Sequence, residues 1–242
     1  MFIGSGTFIN IISVFLGTVV GVTVAHRLPQ RVRDVVMDGL GLVTGMIAVL
    51  TTSAITNPTL PQVLGKGRPV LIVLASIVLG GMIGSALNLE LRLEALGDKL
   101  KSKFDKGDPD STFTEGFVAA SLLFCIGPMT ILGSITDGLG GGNQMLILKS
   151  ILDFFASLGF AAALGWGVAA SGLSILVVQG GFTVFGYFLG NFMSDVQILM
   201  LTATGGLLLV GISLRLLNIK QVPVGNLLPA LIIAPILVAI LS

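Results

Sequence analysis

Charged side chains are scarce in this chain of 242 residues: Asp, Glu, Lys and Arg make up 10% of it, whereas 54% is hydrophobic. A soluble fold of this size needs a far more polar surface. Cysteine and histidine occur once each, which excludes an intrachain disulfide and a two-histidine zinc site. The net charge of +1 offers no basic surface for nucleic acid. We therefore expect neither an enzyme nor a cofactor, while any metal stays unknown.

Apolar runs recur along the whole sequence, and each is long enough to cross about 30 Å of hydrocarbon as a helix. The runs are continuous, whereas the strands of a membrane barrel alternate apolar and polar residues. The sequence thus predicts an all-α polytopic membrane protein with a single integral membrane domain over residues 1–242. Eight spans are expected, at about 3–25, 35–54, 69–87, 115–134, 144–168, 172–190, 196–214 and 222–241.

Basic residues cluster on one side of these spans. Cytoplasmic loops retain Lys and Arg near the ends of spans, and ten of the 13 cations lie in the loops after the first, third and seventh spans. Only Lys66 and Arg68 lie in a loop on the opposite side, and Lys149 lies within the fifth span. This distribution predicts that the N-terminus and the C-terminus are both extracytoplasmic.

Residues 3–87 and 172–242 resemble each other as two three-span segments. Three of their spans carry glycines four residues apart: Gly17 and Gly21, Gly80 and Gly84, and Gly186 and Gly190. Asn10 and Gln179 occupy similar positions before two of these pairs. Because the first segment begins outside and the second inside, the sequence predicts an inverted repeat, which is typical of secondary transporters. Close helix packing through small residues, with interhelical hydrogen bonds from the amides, is the alternative.

Residues 115–168 contain the fourth and fifth spans, which lie outside this repeat and form the most polar part of the membrane region. Pro128 stands well inside the fourth span, after Cys125 and Gly127, and a proline there removes a helical hydrogen bond. Broken helices of transporters use the freed backbone groups to hold ions or substrates. A packed proline kink is the alternative.

The fifth span contains a lysine and an aspartate four residues apart. Lys149 and Asp153 share one helix face and are separated by about 6 Å along its axis. Ionisable side chains inside a span are costly and mark functional sites by default. Two structural alternatives remain open, because Lys149 is close enough to the outer end to extend into water, and because the two charges can simply neutralise each other.

Two connecting segments also contain charges. The segment 134–143 is predicted to be a glycine-rich outer turn. Asp137 and Asp195 give its face a modest negative charge that could attract cations, although ordinary solvation of the loop is the favoured interpretation. On the opposite side, the loop 88–114 has leucines at helical spacing between charged residues. This spacing predicts an amphipathic helix that lies on the membrane surface or against a partner.

Several sequence blocks occur in a specific order: 115–129, 133–139, 149–153, 178–180 and 224–231. Together with Asn10 and the first glycine pair, they resemble the bacterial membrane proteins grouped as domain of unknown function 554, the YdfK/YqgA-like family. The resemblance implies a bacterial inner-membrane protein without an established biochemical role, often described as a possible transporter. It also implies that Glu115, Asp137 and Asn226 matter, although it assigns no binding residues.

These features together predict a secondary transporter that moves a small polar or charged solute, or an ion, by alternating access. Its site combines Lys149 and Asp153 with Asn10, Gln179 and the break from Cys125 to Pro128. Lys149 would hold an anionic group, and Asp153 an amine, a cation or a proton. Two alternatives stay open: a non-transporting scaffold or assembly protein that forms homo-oligomers through its glycine faces, and an oligomeric channel. The lipid bilayer is the partner in every case.

Overall fold

The computed structural model describes residues 2–25, 29–104, 112–125, 128–189 and 193–241. Within these ranges the regular structure is entirely helical, which confirms the predicted all-α class. The α-helices are α1 (Ser5–Ala25), α2 (Gln30–Thr52), α3 (Thr59–Leu64), α4 (Arg68–Ala86), α5 (Leu89–Phe104), α6 (Phe113–Cys125), α7 (Pro128–Gly138), α8 (Gln144–Leu164), α9 (Gly167–Leu189), α10 (Asp195–Leu216), α11 (Val224–Leu227) and α12 (Ala230–Leu241).

In the part of the chain that the structure describes, seven segments are long and apolar enough to cross a membrane. They are α1, α2, α4, α8, α9, α10 and the combined α11 and α12. The α6–α7 pair is together also long and apolar enough, although it bends by 64° at its break, and it makes an eighth candidate if the pair is one span. The polytopic helical architecture expected from the sequence is therefore confirmed.

The fifth and sixth spans meet at a tighter turn than the hydropathy predicts. α8 ends at Leu164 and α9 begins at Gly167, whereas the sequence placed this boundary at 168–172. Gly165 adopts a φ of 73°, a conformation that terminates helices and that residues with a Cβ rarely adopt. Glycine thus ends α8 while the chain is still apolar, which hydropathy alone does not detect.

The chain forms two compact units. The first unit consists of Met1–Leu40 and Glu94–Phe192, and the second unit of Gly41–Leu93 and Met193–Ser242. Each of the two segments of the predicted repeat therefore contributes helices to both units. The inverted repeat itself stays a prediction.

In the first unit, α1 packs along α8 with both helices running in the same direction. Gly17 lies against Ser157, and one turn further along Gly21 lies against Ala161. A Cβ at either glycine would collide with α8, so the small residues let the two backbones approach closely. Polar side chains on the facing sides of α1 and α8 are consequently close enough to interact.

The α6–α7 pair packs along α9 in the same unit, again in parallel. Ser121 and Ser174 share a hydrogen bond of 2.8 Å near the beginning of both segments. Further along, Gly186 lies against the backbone of Ile135. α9 therefore contacts both α6, before the break, and α7, after it.

In the second unit, α10 is the most deeply buried membrane helix, with 78% of its apolar window inside the protein. It runs antiparallel to α2, because Gly45 lies near Ser213 while Gly206 lies near Thr52. α4 packs antiparallel to the α11–α12 segment through its glycine pair. An apolar cluster joins α3, α4, α10 and α12. It comprises Leu60, Leu64, Ile72, Val73, Val196, Met200, Ala203 and Val238.

The parallel packing of α1 and α8 bears on the number of crossings. If every long apolar helix crosses the membrane, α2 and α4 account for two crossings between α1 and α8. Two parallel membrane helices must be separated by an odd number of crossings, since each crossing reverses the chain direction. The α6–α7 pair supplies the third crossing, so helix direction favours eight spans over seven.

Candidate solute-binding site

The ion pair of α8 lies deep within the first unit. Asp153 is about 14 Å along the axis from the beginning of a 21-residue helix, close to its middle. Lys149 is one turn closer to the N-terminal end and forms an ion pair with Asp153. Their exposed fractions are only 6% and 8%, so both charges are largely removed from water.

Asn10 of α1 completes this group. Its Nδ2 donates a hydrogen bond of 3.0 Å to Oδ2 of Asp153, the same oxygen that pairs with Lys149. Asn10 is fully buried, and the close approach of α1 to α8 brings its short side chain within reach of the carboxylate. The structure thus brings together three residues that the sequence proposed separately.

The α6–α7 break lies next to the same lysine. Nζ of Lys149 is 5.8 Å from the ring centroid of Phe124, a distance at which a cation is attracted to an aromatic face. Phe124 belongs to the last turn of α6, and its carbonyl accepts a hydrogen bond of 3.0 Å from Thr130 Oγ1 of α7. A side chain from beyond the break therefore binds a carbonyl that precedes it.

The predicted residues of the break are described only in part. Cys125 is the last residue of α6 and is half-buried. Pro128 is the first residue of α7, a position where its missing N–H has no helical partner to lose. Gly127 lies outside the described residues, as does Gly190 of the last glycine pair.

The charges of this group are arranged for mutual compensation. One carboxylate oxygen receives both the ammonium group and the amide, while the aromatic ring of Phe124 lies near the cation. Taking charges out of water costs several kcal/mol for each ion, and mutual attraction only partly offsets this cost. A charged solute could replace either Lys149 or Asp153 in this pair and be neutralised by the side chain that remains. The arrangement is therefore suited to binding polar or charged groups at the depth of the membrane centre.

Gln179 is buried in the first unit but has a different environment. Neither its Oε1 nor its Nε2 has a hydrogen-bond partner among the described residues. The same holds for Oδ1 of Asn10, for Thr7 Oγ1 and for Ser134 Oγ. The sequence singled out the two amides but missed the two hydroxyl residues, because Ser and Thr are common in apolar helices and usually bond to their own backbone.

Asp137 corrects one prediction. It lies in the last turn of α7, is only 4% exposed, and accepts a hydrogen bond of 3.2 Å from the backbone N–H of Gly6. The helix continues to Gly138, which packs directly against the backbone of Thr183, so the predicted solvated turn begins after this residue. Tertiary packing overrides the glycine-rich composition here.

The other secondary candidates lie elsewhere. Glu115 is exposed in the first turn of α6. Asn226 belongs to the second unit, where its Oδ1 accepts a hydrogen bond of 2.9 Å from the backbone N–H of Glu90. Glu90, which the sequence reading missed, also forms an ion pair with Arg215. This pair joins the beginning of α5 to the end of α10, as expected for a structural contact.

A metal centre of the usual kind is not visible in the described residues, since no group of three or more His, Cys, Asp or Glu lies close enough together to hold an ion. A cation site built from one carboxylate and neutral oxygens needs no such group.

Comparison with known proteins gives a consistent result. The chain is 30% identical over 236 residues to the uncharacterized membrane protein YdfK of Bacillus subtilis (strain 168), covering 98% of this chain and 96% of that protein. It is 33% identical over 232 residues to the uncharacterized protein YqgA of Escherichia coli (strain K12), covering 95% and 94%. No solved structure matches the chain. The family model described as Protein of unknown function (DUF554) matches residues 5–239, and the chain belongs to this family.

Proposed function

We propose that this protein is a secondary transporter of a small polar or charged solute, or of an inorganic ion, working by alternating access. It would lie in a bacterial inner membrane with both termini on the extracytoplasmic side. The observation that carries the proposal is the buried group of Lys149, Asp153 and Asn10 beside a broken membrane helix.

The broken helix supports transport because the break lies beside a charged site. An α6–α7 break frees backbone groups at membrane depth, and such groups are tolerated where they face protein or a water-filled cavity. Discontinuous helices at the membrane centre form the binding sites of many secondary transporters. Here the break is next to Lys149, so a change at the break alters the surroundings of the ion pair.

Helix pairing supports the inverted repeat that the proposal assumes. An inverted repeat equates the first span with the sixth, the second with the seventh and the third with the eighth. In each case the equated spans contact each other: α1 with α9, α2 with α10, and α4 with the α11–α12 segment. All three pairs are antiparallel, which is the direction that inverted copies require.

The ion pair suggests how a solute is held. Lys149 would bind an anionic group and Asp153 an ammonium group, a cation or a proton, while Asn10 supplies a neutral hydrogen bond. The solute would replace the partner that each charge has in the present structure. A solute that satisfies neither charge would leave them buried and unpaired, which is costly, so the pair also provides selectivity.

Cys125 offers a direct test, because it is the chain's one cysteine and stands at the break. Maleimides react with the thiolate in water. A membrane-impermeant maleimide, added separately to each side of oriented proteoliposomes, should label Cys125 from both sides as the site opens alternately. The Cys125→Ser variant measures background labelling.

A solute screen then uses the same thiol. We expect one member of a panel of amino acids, organic acids and inorganic ions to slow labelling of the parent protein but not of a folded Asp153→Asn variant. Radiolabelled uptake of that solute into proteoliposomes completes the test. Labelling from neither side, with full reaction after denaturation in detergent, would overturn alternating access at this site and favour the scaffold alternative.

A further inference from the structure

A second polar cluster lies where α1, α7 and α9 meet in the first unit, one turn closer to the N-terminus of α1 than Asn10. Contacts between each pair of helices define this place. The backbone N–H of Gly6 binds the carboxylate of Asp137, which joins α1 to α7. Gly138 packs on Thr183, which joins α7 to α9.

The third pair, α1 and α9, meets around a cavity of about 380 Å³ that residues of both helices line. Its lining is mainly apolar; Thr7, Thr183 and Tyr187 supply its polar side chains, and Gly180 forms part of its wall. Thr7 follows Gly6 directly, so the cavity lies within one residue of the Asp137 contact. Phe8 and Tyr187 at its rim are more than half exposed, and the cavity is therefore open to the exterior.

Four side chains near this point have unusual electrostatic surroundings. Asp137 is buried and accepts a backbone hydrogen bond from Gly6 alone among the contacts described. Thr7, Ser134 and Gln179 are at least 98% buried, and their side-chain oxygens have no hydrogen-bond partner among the described residues. Buried polar groups in folded proteins are nearly always paired, so several such oxygens around one carboxylate point to a ligand.

Sequence spacing places these groups close to one another. Ser134 precedes Asp137 by three residues on α7, so the two side chains share a helix face. Gln179 directly precedes the cavity residue Gly180, and its own carbonyl accepts the Thr183 hydroxyl at 2.9 Å. All four side chains therefore originate within about one turn of the three interhelical contacts.

We propose that Asp137, Thr7, Ser134 and Gln179 bind a monovalent cation, with Na⁺ as the expected ion. Hard cations prefer carboxylate, carbonyl and hydroxyl oxygens, and a single carboxylate matches a single positive charge. α7 also ends here, and the negative end of a helix dipole attracts cations; half-helix C-termini coordinate Na⁺ in transporters. A proton would need only the carboxylate and would leave the hydroxyls and the amide unexplained.

The cation site is next to the proposed solute site. Thr7 and Asn10 are three residues apart on α1 and share a face, and Asn10 donates directly to Asp153. A cation that orders this end of α1 also orders the Asn10 amide that binds the Asp153 carboxylate of the proposed solute site, which is the linkage a coupling ion needs. The coupling role rests on the proposed transport function, whereas the cation site does not.

The test uses the purified full-length protein in detergent. Its apparent Tm is measured against NaCl concentration, with choline chloride keeping the ionic strength constant and KCl as a second series. A ligand that binds the folded state raises its stability in a saturable way. We expect a saturable rise with Na⁺ and a flat response to choline.

Variants locate the ion. Asp137→Asn should abolish the Na⁺-dependent rise, and Thr7→Val should raise the Na⁺ concentration for half of the rise about tenfold or more, as expected for one lost oxygen ligand. Thr7→Ser keeps the hydroxyl and should retain the response. Asp195→Asn, which changes an exposed acid at the beginning of α10, is the matched control.

The outcomes separate this site from the transport proposal. An equal rise in all salts, or a Na⁺ response unchanged in both Asp137→Asn and Thr7→Val, would overturn the cation site; Thr7→Val decides alone if the aspartate variant fails to fold. A Tm that follows pH but ignores Na⁺ overturns Na⁺ in favour of a proton. Asp153→Asn should retain the Na⁺ response. If the parent protein shows this response but no solute slows the labelling of its Cys125, the transport proposal alone is contradicted.

Discussion

The two units bury polar groups in opposite ways. In the second unit, the Glu90 carboxylate is paired with Arg215 and accepts a hydrogen bond of 2.5 Å from the backbone N–H of Gly225. In the first unit, five buried side-chain atoms lack a partner among the described residues, and all of them belong to α1, α7 or α9. Unpaired buried groups reduce stability. Their concentration in the first unit is what the proposed binding sites require, whereas the buried carboxylate of the second unit is paired.

The depth of the two ion pairs gives the same contrast. Lys149 and Asp153 lie inside a membrane helix, whereas Glu90 and Arg215 join helix ends. A pair at helix ends fixes the connections between elements, and the apolar cluster of the second unit needs no charge. A pair at the membrane centre contributes little net stability. It must be retained for another reason, and binding is the reason that we propose.

The largest effect is expected when the pair of the first unit is broken on one side. Lys149→Met leaves Asp153 buried without its cation, and we expect a loss of about 3–5 kcal/mol in the free energy of unfolding. The double variant Lys149→Met/Asp153→Leu removes both charges and should recover most of this loss. Denaturant titration in detergent, followed by tryptophan fluorescence, measures both variants. If the double variant were as unstable as the single one, lost packing at these positions, and not an unpaired charge, would account for the loss of stability.

An intermediate effect is expected in the second unit. Glu90→Gln keeps the shape of the side chain but removes the charge that pairs with Arg215 and attracts the N–H of Gly225, so we expect a loss of about 1.5–3 kcal/mol. Glu115→Gln is the matched control, because Glu115 is exposed and its replacement should stay within about 0.5 kcal/mol of the parent. Equal stability of the two variants would contradict the structural role of Glu90. The same titration provides the measurement.

The smallest effect has the opposite sign. Gln179→Met replaces an unpartnered buried amide by an apolar side chain of similar length, and we expect a gain of about 1 kcal/mol because no hydrogen bond is lost. The variant should at the same time weaken the Na⁺-dependent rise in Tm. Most substitutions in a protein interior destabilise, so a loss of stability here would show that the amide is paired and would remove the contrast between the units.

Local features of the site were predictable from the sequence. Lys149 and Asp153 share a helix face because a spacing of four residues requires it in any α-helix. Pro128 marks the break because a proline inside a helical run removes a backbone hydrogen bond. The position of Asp137 was not predictable, since its glycine-rich neighbours favour a turn, whereas the structure continues the helix to Gly138, which packs on α9.

Long-range features required the structure. Asn10 and Asp153 are 143 residues apart in the chain, and Glu90 and Arg215 are 125 residues apart. Hydrophobic periodicity shows which residues enter the membrane but assigns no neighbour to them, because lipid and protein interiors are similarly apolar. Thr7 and Ser134 illustrate the consequence: nothing in their sequence context separates them from the serines and threonines that bond to their own backbone.

By itself, the amino-acid sequence determined the class of this protein, the approximate spans and the position of Lys149 and Asp153 within a span, since these depend on composition, span length and helix geometry. The tertiary structure decided which helices run side by side, that the amide of Asn10 meets Asp153, that Asp137 is buried, and that the unpartnered polar atoms gather in one unit. The reason is physical: helix formation depends on neighbouring residues, whereas the choice of helix partners depends on the fit of small residues and polar groups that are far apart in the chain.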